Sequence, residues 1–161
     1  MAFVLQQTLQ QQMDDIFSRY PNKQAACIPL LHLCQSQHGW VDDEVIAFVA
    51  DKCDLPTAHV QGVATFYSLY NREPPGEHQV WVCRTLSCAL RGSDQVLHRC
   101  EKRLGIHAGQ TTKDGKVTLR TAECLAACGQ APVIMVDKTY HENLTLEQVD
   151  SILDDLVGKS Q

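Results

Sequence analysis

Four cysteines in two close pairs carry the strongest chemical signal in this chain. Cys83 and Cys88 form C-x4-C directly after the apolar run Gln79-Val-Trp-Val-Cys83, and Cys124 and Cys128 form C-x3-C between two further apolar runs. Thiolates are soft donors that spread charge into iron and sulfide, so one pair per iron would hold a 2Fe–2S unit. The same four could grip zinc, whose knuckles run C-x2–4-C, or could be buried thiols or disulfide partners. Plant-type C-x4-C-x2-C and bacterial C-x2-C-x2-C cluster motifs are both absent. So is C-x-x-C, which weighs against a dithiol oxidoreductase.

The other four cysteines read as packing residues. Cys27 and Cys34 fall on one helix face, but seven residues is a rise of about 10 Å, too far for two ligands of one metal. Cys34 and His38 are four apart and could share a metal, although a buried cysteine on an apolar helix face is the commoner case. Cys53 and Cys100 have no paired neighbour in the sequence.

The elements that must position the two pairs follow from periodicity and breakers. Four helices are expected in the first half: Phe3 to Arg19, Gln24 to Gln37 with Gly39 beyond its end, one opened by Asp42-Asp43, and one from Pro56-Thr57 toward Phe66-Tyr67. Asn71-Arg-Glu-Pro-Pro-Gly76 is the clearest breaker and sets the expected domain boundary, residues 1–75 before it and 76–161 after. Beyond it the pattern changes. Gln79–Cys83 reads as a strand, Ser93–Leu104 as a helix, Val117–Arg120 and Pro132–Val136 as strands, and Leu146–Val157 as a helix capped by Thr145. That order fits an α/β fold, a small sheet of thioredoxin-like type preceded by an all-helical domain.

Composition narrows the function. The formal net charge is −5, which argues against nucleic acid as the main partner. No apolar run approaches the ~20 residues that span a bilayer. The polar, Gln-rich start resembles neither a secretory signal nor a transit peptide, so the chain reads as cytoplasmic, with any membrane association made through a partner. Eight cysteines at this size then point to metal, redox work or burial rather than a disulfide framework. Gly109 to Lys116 is a poor phosphate loop, with five residues between its glycines and Val117 where Ser or Thr is needed. There is no G-x-G-x-x-G. The seven histidines are scattered, with His141 expected in a solvated polar loop, and no nucleophile–base set emerges. The chain alone is not expected to make or break bonds.

Gly39-Trp40-Val41, Val60-x-Gly-Val-Ala-Thr-Phe-Tyr67, Cys83-x4-Cys88, Glu123-Cys-Leu-x-x-Cys128, Ala131-Pro132 and Leu144-Thr145 occur in that order. From about Tyr20 to Val157 the chain closely resembles the family of E subunits of bacterial NADH:quinone oxidoreductase (respiratory complex I), thioredoxin-like 2Fe–2S ferredoxins. The resemblance implies a helical N-terminal region, one 2Fe–2S cluster on Cys83, Cys88, Cys124 and Cys128, and FMN and NADH on a larger partner subunit. It implies a place peripheral to the inner membrane through the complex. It equally covers the corresponding diaphorase subunits of NAD-dependent formate dehydrogenases and NAD-reducing hydrogenases. The family often has Cys-Leu-Gly-x-Cys where this chain has Cys124-Leu-Ala-Ala-Cys128, so Ala126 stands at a position of backbone freedom. Arg84 and Arg91 flank the first pair and could raise a cluster's potential, or could be solvated or partner-facing arginines.

Overall fold

The computed structural model describes residues 3–158, and the chain divides between Pro74 and Pro75 into a helical unit and an α/β unit. The helical unit holds α1 (Gln7–Arg19), α2 (Cys27–His38), α3 (Asp43–Cys53) and α4 (Thr57–Phe66). Leu30 and Leu31 of α2, Val45 and Val49 of α3 and Val60 of α4 are fully buried in one core. Each such side chain contributes about 1.5–3 kcal/mol relative to exposure. Gly39 ends α2 at φ 91°, its N–H bonded to Gln35 O at 2.8 Å, a left-handed C-cap that glycine adopts without steric cost. Asp42 caps α3, its Oδ1 accepting from Val45 N at 2.9 Å.

Two helices start later than the sequence pattern suggests. Residues 3–6 are not helical because Gln37 takes their backbone instead. Its Oε1 accepts from Gln6 N at 2.8 Å and its Nε2 donates to Val4 O at 2.9 Å. This seats Leu5 in the core and sets Phe3 edge-on to Phe48. Before α2, Asn22 Oδ1 accepts from Ala25 N at 2.8 Å and the chain closes a tight turn over residues 23–26. Pro56 is the cap of α4 rather than its first turn.

The α/β unit is built on β1 (His78–Cys83), α5 (Leu86–Leu90), α6 (Ser93–Leu104), β2 (Val117–Ala122), β3 (Ile134–Val136), β4 (Thr139–His141) and α7 (Leu146–Gly158). The sheet order is β2-β1-β3-β4, with β1 and β2 parallel and the other pairs antiparallel. A parallel pair needs a crossover, which α5 and α6 supply. Val80, Val82, Val117, Leu119 and Ile134 bury one sheet face with Val96 and Cys100 of α6 and Val149 and Leu153 of α7. Alternation turns Trp81 and Cys83 to the other face, where Arg120 lies 5.2 Å from the Trp81 ring. Thr145 and Gln148 bond reciprocally at the start of α7, Thr145 N to Gln148 Oε1 at 2.8 Å and Gln148 N to Thr145 Oγ1 at 3.3 Å, a capping box.

Strand β4 is not foreshadowed by any apolar alternation in the sequence. Asp137, at φ 55°, turns the chain back after β3, and its carboxylate is held by Gln79 N and His78 Nδ1, both at 2.9 Å. His141 therefore lies on β4 and is half-buried, not in a solvated loop.

Candidate metal centre

Both cysteine pairs sit where β1 and β2 end. Cys83 is the last residue of β1 and pairs in register with Ala122, the last of β2. Its N–H donates to Val133 O at 3.1 Å, and Arg84 N donates to Ala122 O at 3.0 Å, so the strand end is fixed from both sides. Cys124 follows β2 by two residues, and Cys128 opens a 3-10 turn, Cys128–Gln130, against which α5 packs. Carboxyl ends of parallel strands are where α/β sheets place ligands.

Cys88 is carried on α5, a helix too short to show a periodic signal, and it is fully buried. The Cys83 and Cys88 thiols hydrogen-bond to one another. Burial pushes the Cys88 thiol up to about 11, the Cys83 bond adds to that, a backbone bond from Val133 opposes it, and Cys128 is near enough to raise it further. Cys83 and Cys88 pack with Leu125, Ala131 and Val133. Cys124 and Cys128 are exposed. Between them Leu125 is buried and anchors the loop, while Ala126 takes φ 58° and its N–H donates to Cys124 Sγ at 3.2 Å. The parts played by Leu125, the Ala126 N–H and the Val133 backbone cannot be read from the sequence, because backbone groups and loop anchors leave no composition signal.

All eight cysteines are free thiols. Among the described residues no three of His, Cys, Asp or Glu are drawn close enough to hold an ion as they stand. The four thiols at the strand ends are nevertheless the right donors for iron: soft, unpaired by disulfides, two shielded from water and two at the rim, with a backbone N–H directed at the Cys124 sulfur.

The remaining cysteines are placed otherwise. Cys53 is not isolated, since its thiol hydrogen-bonds to Cys27. That bond lowers Cys27 below the ordinary thiol value and raises Cys53. Burial pushes Cys34 and Cys100 each up to about 12. His38 turns to Asp42, Nε2 to Oδ2 at 2.8 Å, and α2 gathers no metal-binding group with Cys34. Arg84 and Arg91 are exposed and make no ion pair with a described residue.

This chain belongs to the thioredoxin-like [2Fe-2S] ferredoxin family, whose model matches residues 13–157. It is 41% identical over 146 residues to the E subunit of the NADH-quinone oxidoreductase of Rickettsia bellii (strain RML369-C), a match covering 89% of this chain and 87% of that protein. The corresponding E subunit of Mycobacterium bovis (strain ATCC BAA-935 / AF2122/97) is also 41% identical, over 142 residues, 88% of this chain but 56% of that longer protein. The fold recurs in an NAD+-reducing [NiFe]-hydrogenase in the H2-reduced state, with TM-score 0.72 and 18% identity over 84% of this chain and 22% of that one. The Rickettsia and Mycobacterium relatives are each a subunit of an NADH-quinone oxidoreductase.

Proposed function

We propose that Cys83, Cys88, Cys124 and Cys128 hold one 2Fe–2S cluster, and that the chain serves as the small iron–sulfur subunit of the NADH-oxidising module of an NADH-quinone oxidoreductase. The observation that carries this reading is the placement of four free thiols at and just beyond the ends of a parallel strand pair. When bound, such a cluster supplies a site that accepts and releases one electron at a time. The chain's own residues set the conditions. Cys83 and Cys88, with Leu125 and Val133, exclude water from one side of the site. The Ala126 N–H donates to Cys124 sulfur, which stabilises negative charge there. Exposed Cys124 and Cys128 leave the rim open to an electron donor.

FMN and NADH belong, on this reading, to a partner subunit of the same complex, since this sequence carries no dinucleotide fingerprint. Residues 76–161 form the cluster-bearing domain, and residues 1–75 form a helical domain that contributes to docking. No helix among the described residues is long and apolar enough to cross a membrane; on this reading the chain sits in the cytoplasm, peripheral to the inner membrane through the complex, as its likeness to NADH-quinone oxidoreductase E subunits supports. The test is to purify the complex through a tag on this chain and follow paramagnetic resonance after NADH addition. An axial or rhombic 2Fe–2S signal that vanishes with Cys124→Ala supports the reading; a complex that lacks flavin, or a signal that survives the substitution, refutes it.

A further inference from the structure

The helical unit holds a second thiol pair, apart from the four cysteines at the strand ends. Residues 39–42 connect α2 to α3, and a link that short folds α3 back along α2. The first residue of α2 and the last residue of α3 therefore meet at the open end of the helix pair, and both are cysteines, Cys27 and Cys53. Each is 2% exposed, each is a free thiol, and the two hydrogen-bond to one another within one core. A free cysteine often packs as nothing more than a small hydrophobe. Cys34 and Cys100 fit that description, since burial is the main cause that pushes each up to about 12. Cys27 differs, because the bond from Cys53 holds its thiol below the ordinary value against burial, while the Lys23 ammonium acts downward on Cys53. Cys27 also stands at the first position of a helix, where the backbone N–H groups favour a thiolate. Residues 18–25, which lead into it, are all exposed, so local opening of that segment reaches the pair without unfolding the core.

We propose that Cys27 and Cys53 are a redox-active dithiol that hydrogen peroxide oxidises to a disulfide, stapling the open end of the α2–α3 pair. The Cys27 thiolate attacks one peroxide oxygen, the O–O bond breaks, and the departing hydroxide takes up the proton that the thiol released, leaving as water. Cys27 is then a sulfenic acid. The Cys53 sulfur attacks the Cys27 sulfur, the S–S bond forms, the S–O bond breaks, and a second water departs with the Cys53 proton. Two thiols and one peroxide give one disulfide and two waters, so the sulfurs lose two electrons and the peroxide gains them. A dithiol reductant reverses the change by exchange. The new bond closes the α2–α3 hairpin into a ring and so restricts its unfolded chain. Neither sulfur is among the four assigned to the cluster, so this site stands or falls separately from that reading.

The test treats the cluster-loaded full-length chain with a modest excess of hydrogen peroxide, blocks the remaining thiols, digests without reductant and maps cross-linked peptides by mass spectrometry. A Cys27–Cys53 linkage is expected, forming about tenfold or more faster than the Cys100 thiol is lost. Cys100 is the internal standard because it is buried too but has no thiol bonded to it among the described residues. Dithiothreitol is expected to return both thiols. Amide exchange at Leu31 and Val49, buried in α2 and α3, is expected to slow by about tenfold in the oxidised chain and to recover on reduction. With Cys53→Ser the second thiol is gone, and Cys27 is expected to persist as a sulfenic acid that dimedone captures. The linkage is read in the wild type, so a poorly folded variant leaves the test intact. Cys27 and Cys53 peptides that stay unlinked would overturn the proposal. So would a linkage of either one to Cys34 instead, sulfinic acid without a disulfide, or loss of the Cys100 thiol at the same rate.

Discussion

Replacing Ala126 by glycine is expected to stabilise the α/β unit. Ala126 sits at φ 58° in the loop between Cys124 and Cys128. A residue with a Cβ pays about 1–2 kcal/mol to hold that left-handed conformation. Glycine removes that strain but loses more freedom on folding, about 0.5–1 kcal/mol. The difference leaves a net gain of about 0.5–1 kcal/mol, or about 2–8 °C in the midpoint of a unit this size. Native-state hydrogen exchange at buried amides of Val82 and Leu119 reads the opening of this unit by itself, which matters because two units need not unfold as one. Ala127, at φ −116° and packed beside the thiols, is the control. Ala127→Gly is expected to destabilise, because it has no left-handed strain to relieve. If Ala126→Gly lowers protection as Ala127→Gly does, the strain argument is wrong.

Three further outcomes are expected. Cys124→Ala should abolish the native cluster spectrum, whereas Cys53→Ala, which removes a buried thiol bonded to Cys27, should keep it and cost about 1–2 kcal/mol by urea titration. Asp42→Ala should cost about 0.5–2 kcal/mol at neutral pH through loss of the α3 cap. Burial works to raise the Asp42 carboxyl, but bonds from Val45 N–H and His38 together hold it below its ordinary value. Its contribution is therefore complete above the unfolded carboxylate value and is lost as pH falls through the lower folded value, so wild type and variant should converge in acid. Gly76→Ala should destabilise the α/β unit by about 1–3 kcal/mol on denaturant titration, because the new Cβ would meet Gly115 O and the Lys116 carbonyl at 2.9 Å.

Much of this protein is legible in its sequence, and the rest is hidden for definable reasons. Ser93–Leu104 and the start of α7 follow from periodicity and caps, because those signals are local. Residues 3–6 and β4 are not legible. The first is decided by one side chain, Gln37, more than thirty residues away, and the second by Asp137 bonding to β1. The two cysteine pairs stand out by spacing, but spacing cannot say that β1 and β2 end in register, with one pair at or beyond each strand end. Nor can it separate buried Cys83 and Cys88 from exposed Cys124 and Cys128, a distinction made by α5 and Leu125. The pairing of Cys27 with Cys53 across two helices is likewise a product of packing alone. Ala126 is the clearest case in the other direction. A sequence departure at one loop position coincides with a left-handed backbone that glycine would hold without strain.

The central claim is that four cysteines hold a 2Fe–2S cluster, and its most direct test is the iron and acid-labile sulfide content of the full-length chain after anaerobic reconstitution, read with its visible spectrum. The account expects two irons and two sulfides per chain, a charge-transfer band, and loss of both when any one of Cys83, Cys88, Cys124 or Cys128 becomes alanine. A colourless protein, or one that holds zinc stoichiometrically and does not exchange it for iron, would contradict it.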